Sequence, residues 1–536
     1  KLLDFSLKPN CEPPPPRLGG TSDGTLYLFA GKFGGAGPRG DAFWTQDADP
    51  EKPETWIVRQ VPATDDDGPT VTVAALGIKE TFPAEGLTTV VLDGRGFAGA
   101  VNVSFLGAAA PGAQSQAAPF SLDAVVLTGN GPDQVTTGEG SSFVDTGAGD
   151  DLVVTQDRTD LSKASDGAGV GRAIVAGGAG KDAVTVGNGD DVVSGDGSLV
   201  VKDAASAPVV TLAEGGTTTL SGALDVAAMK NGVAAAGFPE SSFIGLFSTT
   251  VGGADQGDQI SAGLGRSVLS GNGGDDIIGT ANDSVQAALV GIKGTPKESR
   301  YRARSTTIVG GAGSDRIKSG SADDTVFTGA KGVVGEEGAG SGDTAATDSN
   351  TVDTGEGSDT VYGSNAKDFV VTHSTTSQGA TVYGAGGADV LTGGLGSDEL
   401  YGGPADDYLV AAPATVSLDL PVSDVLGAAR RVSLLPRPGV AQPKLLVGGT
   451  GSDRIYGADG PSLIFGDSTD DAERSGGVVT AACPQSATIV SDPPTETANA
   501  GDRADLVQGG AAVDDIDAGG GGDWVHGAGA DDTICG

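Results

Sequence analysis

The chain has 536 residues, with 71 acidic side chains against 32 basic ones and a formal charge of −39. A field this negative excludes nucleic acid and anionic membrane surfaces as partners and makes cations the expected ones. Glycine supplies 91 residues without the three-residue period of collagen, and aromatics are only 5%, which excludes an aromatic-centred globular core and places the glycine in turns.

Residues 1–120 read as a separate region. It opens on Pro13-Pro14-Pro15-Pro16, a stiff extended segment. Residues 70–73, 88–92 and 101–105 alternate as strands do, with 94–99 as a turn between the last two. Those last two segments faintly resemble one hairpin of an immunoglobulin-like TIG module; a small β-rich cap on a repeat stack is the alternative.

Residues 121–536 carry a nine-residue beat, in which an aspartate is followed two positions later by an aliphatic side chain. Eight blocks hold it, near residues 129–153, 177–193, 253–278, 310–326, 355–370, 384–409, 448–471 and 500–534. The cleanest unit is Gly310-Gly311-Ala312-Gly313-Ser314-Asp315-Arg316-Ile317. Nine residues fit neither a helical period nor a simple strand alternation, so the beat predicts stacked repeats, each a turn and a short strand with its aliphatic residue pointing inward. Residues 285–304 and 472–500 read as excursions on one side.

Glycines at the first, second and fourth positions let the backbone turn tightly with carbonyl oxygens inward, and the aspartate adds a carboxylate. Calcium takes six to eight oxygens at roughly 2.3–2.6 Å, so one turn supplies about half a shell and a stacked turn supplies the rest. Two bare carboxylates at the ~4.8 Å strand spacing repel by about 3–4 kcal/mol at an effective dielectric of about 20. A divalent ion between them reverses that sign.

The unit Gly-Gly-x-Gly-x-Asp-x-aliphatic-x is similar to the calcium-binding nonapeptide of repeats-in-toxin (RTX) proteins, over roughly residues 125–536 with interruptions. The resemblance implies an all-β fold, a right-handed parallel β-roll or β-helix solenoid with loop insertions. About twenty-two nonapeptides would form eleven turns some 50 Å long. It implies several bound Ca2+ ions and folding on ion binding, delayed until export. The implied carboxylate ligands are Asp133, Asp151, Asp182, Asp191, Asp258, Asp276, Asp315, Asp324, Asp359, Asp368, Asp389, Asp398, Asp407, Asp453, Asp505, Asp514, Asp523 and Asp532. The accompanying turn glycines are Gly129, Gly131, Gly147, Gly149, Gly178, Gly180, Gly187, Gly189, Gly311, Gly313, Gly355, Gly357, Gly394, Gly396, Gly449 and Gly451.

With two nonapeptides per turn, ligand-sharing aspartates lie eighteen residues apart, as in Asp133/Asp151, Asp258/Asp276, Asp389/Asp407, Asp505/Asp523 and Asp514/Asp532. Asp182/Asp191, Asp315/Asp324 and Asp359/Asp368 stand nine apart, so their partners are expected from neighbouring blocks across an insertion. Ser142, Ser267 and Ser462 replace the middle aspartate of a triplet, although Asp471, which closes the third, has Glu473 at its aliphatic position. Alternate repeats stack on opposite edges, so calcium is expected to fill the edges unequally, with one edge well liganded and the other given to loops. Random loss of aspartate is the alternative.

Signals for catalysis are weak. Gly20-Thr21-Ser22-Asp23-Gly24 fits a nucleophile elbow but follows a proline run rather than a strand. The two histidines, His373 and His526, form no His-Glu-x-x-His motif, and His526 reads as a loop residue. The carboxylate pairs Asp150/Asp151, Asp275/Asp276 and Asp406/Asp407 are explained by the beat, so an enzyme is not expected. Cys11, Cys483 and Cys535 leave open a Cys483–Cys535 bridge or three unpaired thiols. No run of eighteen apolar residues spans a membrane, and the amino terminus lacks the apolar stretch of a signal peptide, as a processed chain also would. The expected role is secreted or cell-surface, structural or adhesive, with self-assembly into a layer, filament or matrix. The alternatives are a polysaccharide-active enzyme of lyase or epimerase type and a glycan-binding adhesin, the latter needing a regular threonine ladder that the linear spacing does not show.

Overall fold

The computed structural model describes residues 18–31, 52–64, 67–95, 97–108, 119–156, 172–189, 191–199, 209–212, 218–221, 247–248, 256–263, 267–280, 305–329, 348–412, 416–417, 431–432, 442–466, 505–518 and 523–535. The proline run, Cys11, Cys483 and the excursions 285–304 and 472–500 lie outside them, as does the side chain of Cys535. Every regular element among the described residues is a strand, and no helix is long and apolar enough to cross a membrane. The chain divides into two compact units, Lys1–Ala254 and Asp255–Gly536.

Each unit is built from the three-residue core of the beat, in which the residue after the aspartate faces out, the aliphatic faces in and the next faces out again. Strands this short cannot stand alone; they hold because the next copy stacks on them in parallel and closes a dry aliphatic column. In the second unit one sheet runs Val268–Gly273, Thr307–Ala312, Thr325–Phe327, Thr360–Tyr362, Thr381–Tyr383, Glu399–Pro404, Lys444–Thr450, Ser462–Phe465, Asp515–Asp517 and Thr533–Cys535, all parallel. The other runs Gln259–Ala262, Ile277–Thr280, Arg316–Lys318, Ser349–Asp353, Lys367–Val371, Val390–Thr392, Tyr408–Val410, Arg454–Tyr456, Leu506–Gln508 and Trp524–His526. The chain alternates between them, one strand in each per turn.

Two inward columns make the core of this unit. The first sheet aligns Leu269, Ile308, Val326, Val361, Val382, Leu400, Leu446 and Ile464 at 0% exposure, and the second aligns Ile317, Val352, Val370, Leu391, Leu409, Ile455 and Val507 equally buried. Burial fades in the last rung, where Ile534 is 48% exposed. Ten rungs at ~4.8 Å make this unit alone some 45 Å long.

The first unit follows the same plan with a different start. Thr25–Phe29, Thr89–Asp93, Asp123–Leu127, Ser142–Asp145, Ala173–Gly178 and Val192–Asp196 form one parallel sheet. Glu54–Val61, Val101–Gly107, Gln134–Thr136, Leu152–Val154 and Ala183–Thr185 form the other. Strands on both sides of residue 120 are therefore hydrogen-bonded to one another. The two segments read as a TIG-like hairpin do not pair: Thr89–Asp93 lies in the first sheet and Val101–Gly107 in the second, and residues 94–99 carry the chain between sheets. Hairpins in this region are Gly19–Ser22 with Thr25–Phe29, and Thr70–Ala75 with Ile78–Pro83, the latter turning through Leu76 and Gly77. These early rungs lack the glycine beat because larger side chains replace it. Trp56 is fully buried at the head of the aliphatic column, and its indole Nε1 donates to Glu54 Oε2 at 3.1 Å.

Insertions do not collect on one side as expected. In the second unit the chain leaves after Ile277–Thr280 and after Tyr408–Val410, passing from second sheet to first, and also after Thr325–Phe327 and after Ser462–Phe465, passing the other way. An insertion needs only two strand ends at adjacent positions, which both edges offer at every rung.

Candidate metal centre in the aspartate columns

Because the aspartate precedes each strand by one residue, strand register fixes which carboxylates meet. On the edge leading into the second sheet, the second unit stacks Asp258, Asp276, Asp315, Asn350, Asp368, Asp389, Asp407, Asp453, Asp505 and Asp523 in one column. The first unit does the same with Asp133, Asp151 and Asp182. On the opposite edge the second-unit column reads Ser267, Thr306, Asp324, Asp359, Ala380, Asp398, Lys444, Ser462, Asp514 and Asp532. Asp191 is on the corresponding edge of the first unit, stacked on Ala173 and two rungs from Ser142. One edge thus carries nine aspartates and one asparagine, the other five aspartates among uncharged and basic residues.

The eighteen-residue pairs stack as the repeat spacing requires, and the nine-apart aspartates find partners in neighbouring blocks, Asp151 with Asp182, Asp276 with Asp315, Asp324 with Asp359 and Asp368 with Asp389, except Asp191, which stacks on Ala173. In each aspartate pair the carboxylate Oδ1 accepts the main-chain N–H of the aspartate one rung earlier. The distances are 2.7 Å for Asp133 to Asp151, 2.8 Å for Asp389 to Asp407, 2.8 Å for Asp407 to Asp453 and 2.8 Å for Asp453 to Asp505. Asn350 keeps the chain of bonds unbroken, accepting from Asp315 N at 2.9 Å and donating Nδ2 to Asp368 Oδ1 at 2.8 Å.

The second carboxylate oxygen is different. Oδ2 of Asp389 and of Asp407 is buried and receives no hydrogen bond. It points into the turn: a Cβ on Gly384 would fall on Asp389 Oδ2 and Gly402 O, and one on Gly402 would fall on Asp407 Oδ2 and Gly448 O. The first glycine of each unit is therefore the floor of a cradle in which a carboxylate oxygen and a carbonyl of the next rung converge. The repeat pattern assigns this first glycine to the turn and only the second and fourth to the calcium site. The second has its own reason, since Gly311 and Gly449 have φ of 120° and 111° and press against the carbonyls of Asn272 and Gly403.

Burial makes these charges costly. Desolvation pushes the Asp407 carboxyl up to about 9, with Asp453 and Asp406 adding repulsion. It pushes Asp151 up to about 8, aided by Asp182 and Asp133, and Asp359 to about 7. Asp133 and Asp182 are raised to about 6, and Asp389 is driven well above neutrality by burial and by Asp368 and Asp407. A buried carboxylate with an orphaned oxygen is the arrangement that a bound cation relieves. Among the described residues no three acidic, histidine or cysteine side chains converge on one point. One carboxylate oxygen per turn with a main-chain carbonyl beside it, as at Asp389 and Gly402 O, is an all-oxygen donor set of the kind a hard cation takes. The donor set fits calcium, which the column aspartates and the turn carbonyls would hold.

Neither histidine joins the columns. His373 Nε2 lies 3.2 Å from Asp353, whose pKa is lowered because His373 and Lys318 outweigh its burial, while the Asp353 carboxylate raises that of His373. His526 is in a strand rather than a loop, its ring stacked on Trp524 at 5.8 Å.

The fold and its carboxylate columns define a cation-binding parallel β-roll, an all-β solenoid. A family model describing the RTX calcium-binding nonapeptide repeat, in four copies, matches residues 127–156, 168–198, 252–284, 303–330, 344–374, 381–412, 447–472 and 497–536. The chain carries RTX calcium-binding nonapeptide repeats over these eight stretches. Among curated proteins, none matches it.

Proposed function

We propose that this chain is a secreted or cell-surface structural or adhesive protein whose roll becomes rigid only when calcium fills the aspartate columns. The observation that carries the reading is the column from Asp258 to Asp523, nine carboxylates and one asparagine in ten successive rungs, with every carboxylate but that of Asp523 buried. A chain that stacks like charges at ~4.8 Å folds where a divalent ion is abundant, and extracellular calcium modules work at about 10⁻⁴–10⁻³ M. RTX-repeat proteins are typically secreted, which supports the same compartment. An adhesive or self-assembling role draws support from the outer face of the first sheet in the second unit. There Thr307, Thr325, Thr360 and Thr381 line up in one column, beside Phe327, Tyr362, Tyr383 and Tyr401 stacked at 4.9, 5.4 and 5.0 Å. Such a face offers half-buried threonine hydroxyls and the rings of Tyr362 and Tyr383 at a repeat distance that a glycan or a second copy can follow, while Phe327 and Tyr401 are buried in the stack.

The test is a calcium titration read by circular dichroism and sedimentation, with magnesium as control. Strand content that rises with calcium, and sedimentation that shifts to compact or polymeric species, is expected. A chain fully β-folded in chelator would sink the calcium-driven reading, and calcium-loaded chains that neither polymerise nor bind glycan would sink the structural and adhesive role.

A further inference from the structure

One position on the serine-bearing edge has a cation of its own. Lys444 stands in the aspartate column, one rung after Asp398 and one before Ser462. Its side chain turns back along the column, and Nζ lies 2.5 Å from Asp398 Oδ2 and 2.9 Å from Gly394 O, with both side chains of the ion pair fully buried. A turn carbonyl and the column carboxylate are the same two kinds of oxygen that the cradle offers at other rungs.

Asp398 is also saturated. Its Oδ1 accepts Ala380 N at 2.8 Å and Ser374 Oγ at 2.5 Å, and its Oδ2 accepts Gly394 N at 2.8 Å in addition to the lysine. On the other edge, Asp389 and Asp407 accept at Oδ1 and leave Oδ2 bare. An occupied Oδ2 is not in itself particular to Asp398, since Asp368 Oδ2 accepts Ser364 N and Asp324 Oδ2 accepts Gly320 N; what is particular to it is the ammonium. Asp389 and Asp407 each have another aspartate one rung on, so the pair needs a divalent ion. After Asp398 come an ammonium and then a serine, and one positive charge already balances one negative charge.

We propose that Lys444 is a tethered replacement for calcium: its ε-ammonium occupies the cation position between Asp398 and Gly394, excludes the ion from that turn, and lets this rung hold its register without metal. The inference rests on the calcium reading of the columns. Asp398 and Gly394, which the repeat pattern places among the ligands, then serve a lysine. The bond also crosses an interruption, joining residues 46 apart in the chain where the roll is left after 412 and rejoined at 442.

Bound calcium per chain, counted by equilibrium dialysis on the full-length protein, tests it. D407N should lose about one ion, whereas D398N should lose none. K444M, which uncovers the Asp398 carboxylate, should gain about one ion, and its melting temperature should fall in chelator and recover with calcium. K444D should gain ions likewise. The proposal is overturned if D398N loses calcium as D407N does, or if K444M binds no more ions than the parent and melts equally low with and without calcium. If D407N keeps its full complement, the column reading itself fails, and the lysine's role as a substitute fails with it.

Discussion

The raised carboxylates predict an inverted pH dependence for the calcium-free protein. An aspartate unfolds to a value near 3.8, while in the roll Asp407 titrates near 9 and Asp151 near 8, with Asp389 also raised above neutrality. The folded state therefore holds protons that the unfolded state has released, and stability falls as pH rises from about 4 toward the folded values. Between pH 5 and pH 8, one such carboxylate costs on the order of 4 kcal/mol, at about 1.4 kcal/mol per unit. Asp389 and Asp407 together would then remove on the order of 8 kcal/mol from the second unit, against a typical domain stability of roughly 5–15 kcal/mol. At neutral pH without a cation, these charges therefore offset a large part of what burial of the aliphatic columns contributes. Urea unfolding followed by far-ultraviolet circular dichroism in chelator should show a midpoint that drops steeply from pH 5 to pH 8. In excess calcium, where the ion replaces the proton, the drop should vanish. A chelated protein as stable at pH 8 as at pH 5, or more so, would refute the argument.

Three further outcomes are expected. Ile317→Asp places an unpaired charge in a fully buried column and should cost at least about 3 kcal/mol even in calcium, measured by denaturant unfolding. Gly402→Ala drives a Cβ onto Asp407 Oδ2 and Gly448 O, so calcium affinity by titration calorimetry should weaken by roughly tenfold or more. Ala405 stands where the repeat wants glycine and has φ of 106°, so Ala405→Gly should stabilise the calcium-loaded roll by about 1 kcal/mol, seen as a higher melting temperature.

How much of the fold and of the metal columns could be read from the chain depended on whether a feature was local. The turn, the aspartate and the inward aliphatic all fit within nine residues, so roll architecture and paired aspartates such as Asp389 and Asp407 were legible. Register across an interruption was not. Thr307, Thr325, Thr360 and Thr381 are 18, 35 and 21 residues apart, and only stacking shows that they form a ladder. Asn350 and Lys444 escaped for the same reason, although each precedes an inward aliphatic, Val352 and Leu446, by two residues as a column aspartate does. The early rungs were missed for a different one: with Trp56 and Glu54 filling the space, the stack continues without the glycine that advertised it elsewhere.

The inequality of the two edges has a physical basis in how rungs are coupled. Along the column from Asp258 to Asp523, the carboxylates from Asp276 onward accept an N–H of the previous rung, and all but Asp315 and the terminal Asp523 stack on another charge in the next, so a site changes its neighbours when it changes itself. Removing a carboxylate there breaks a hydrogen bond and an ion's shell together, and Asn350 is tolerated because its amide can still accept and donate. The opposite column is already interrupted, by Ser267, Thr306, Ala380, Lys444 and Ser462, so its aspartates form short groups rather than one array. In a stack whose stability is a sum of rungs and nearest-neighbour interfaces, a continuous column couples many rungs and a broken one couples few. The first edge therefore sets whether the second unit folds as a whole, and the second edge is free to vary, even to the point of exchanging a calcium site for a lysine.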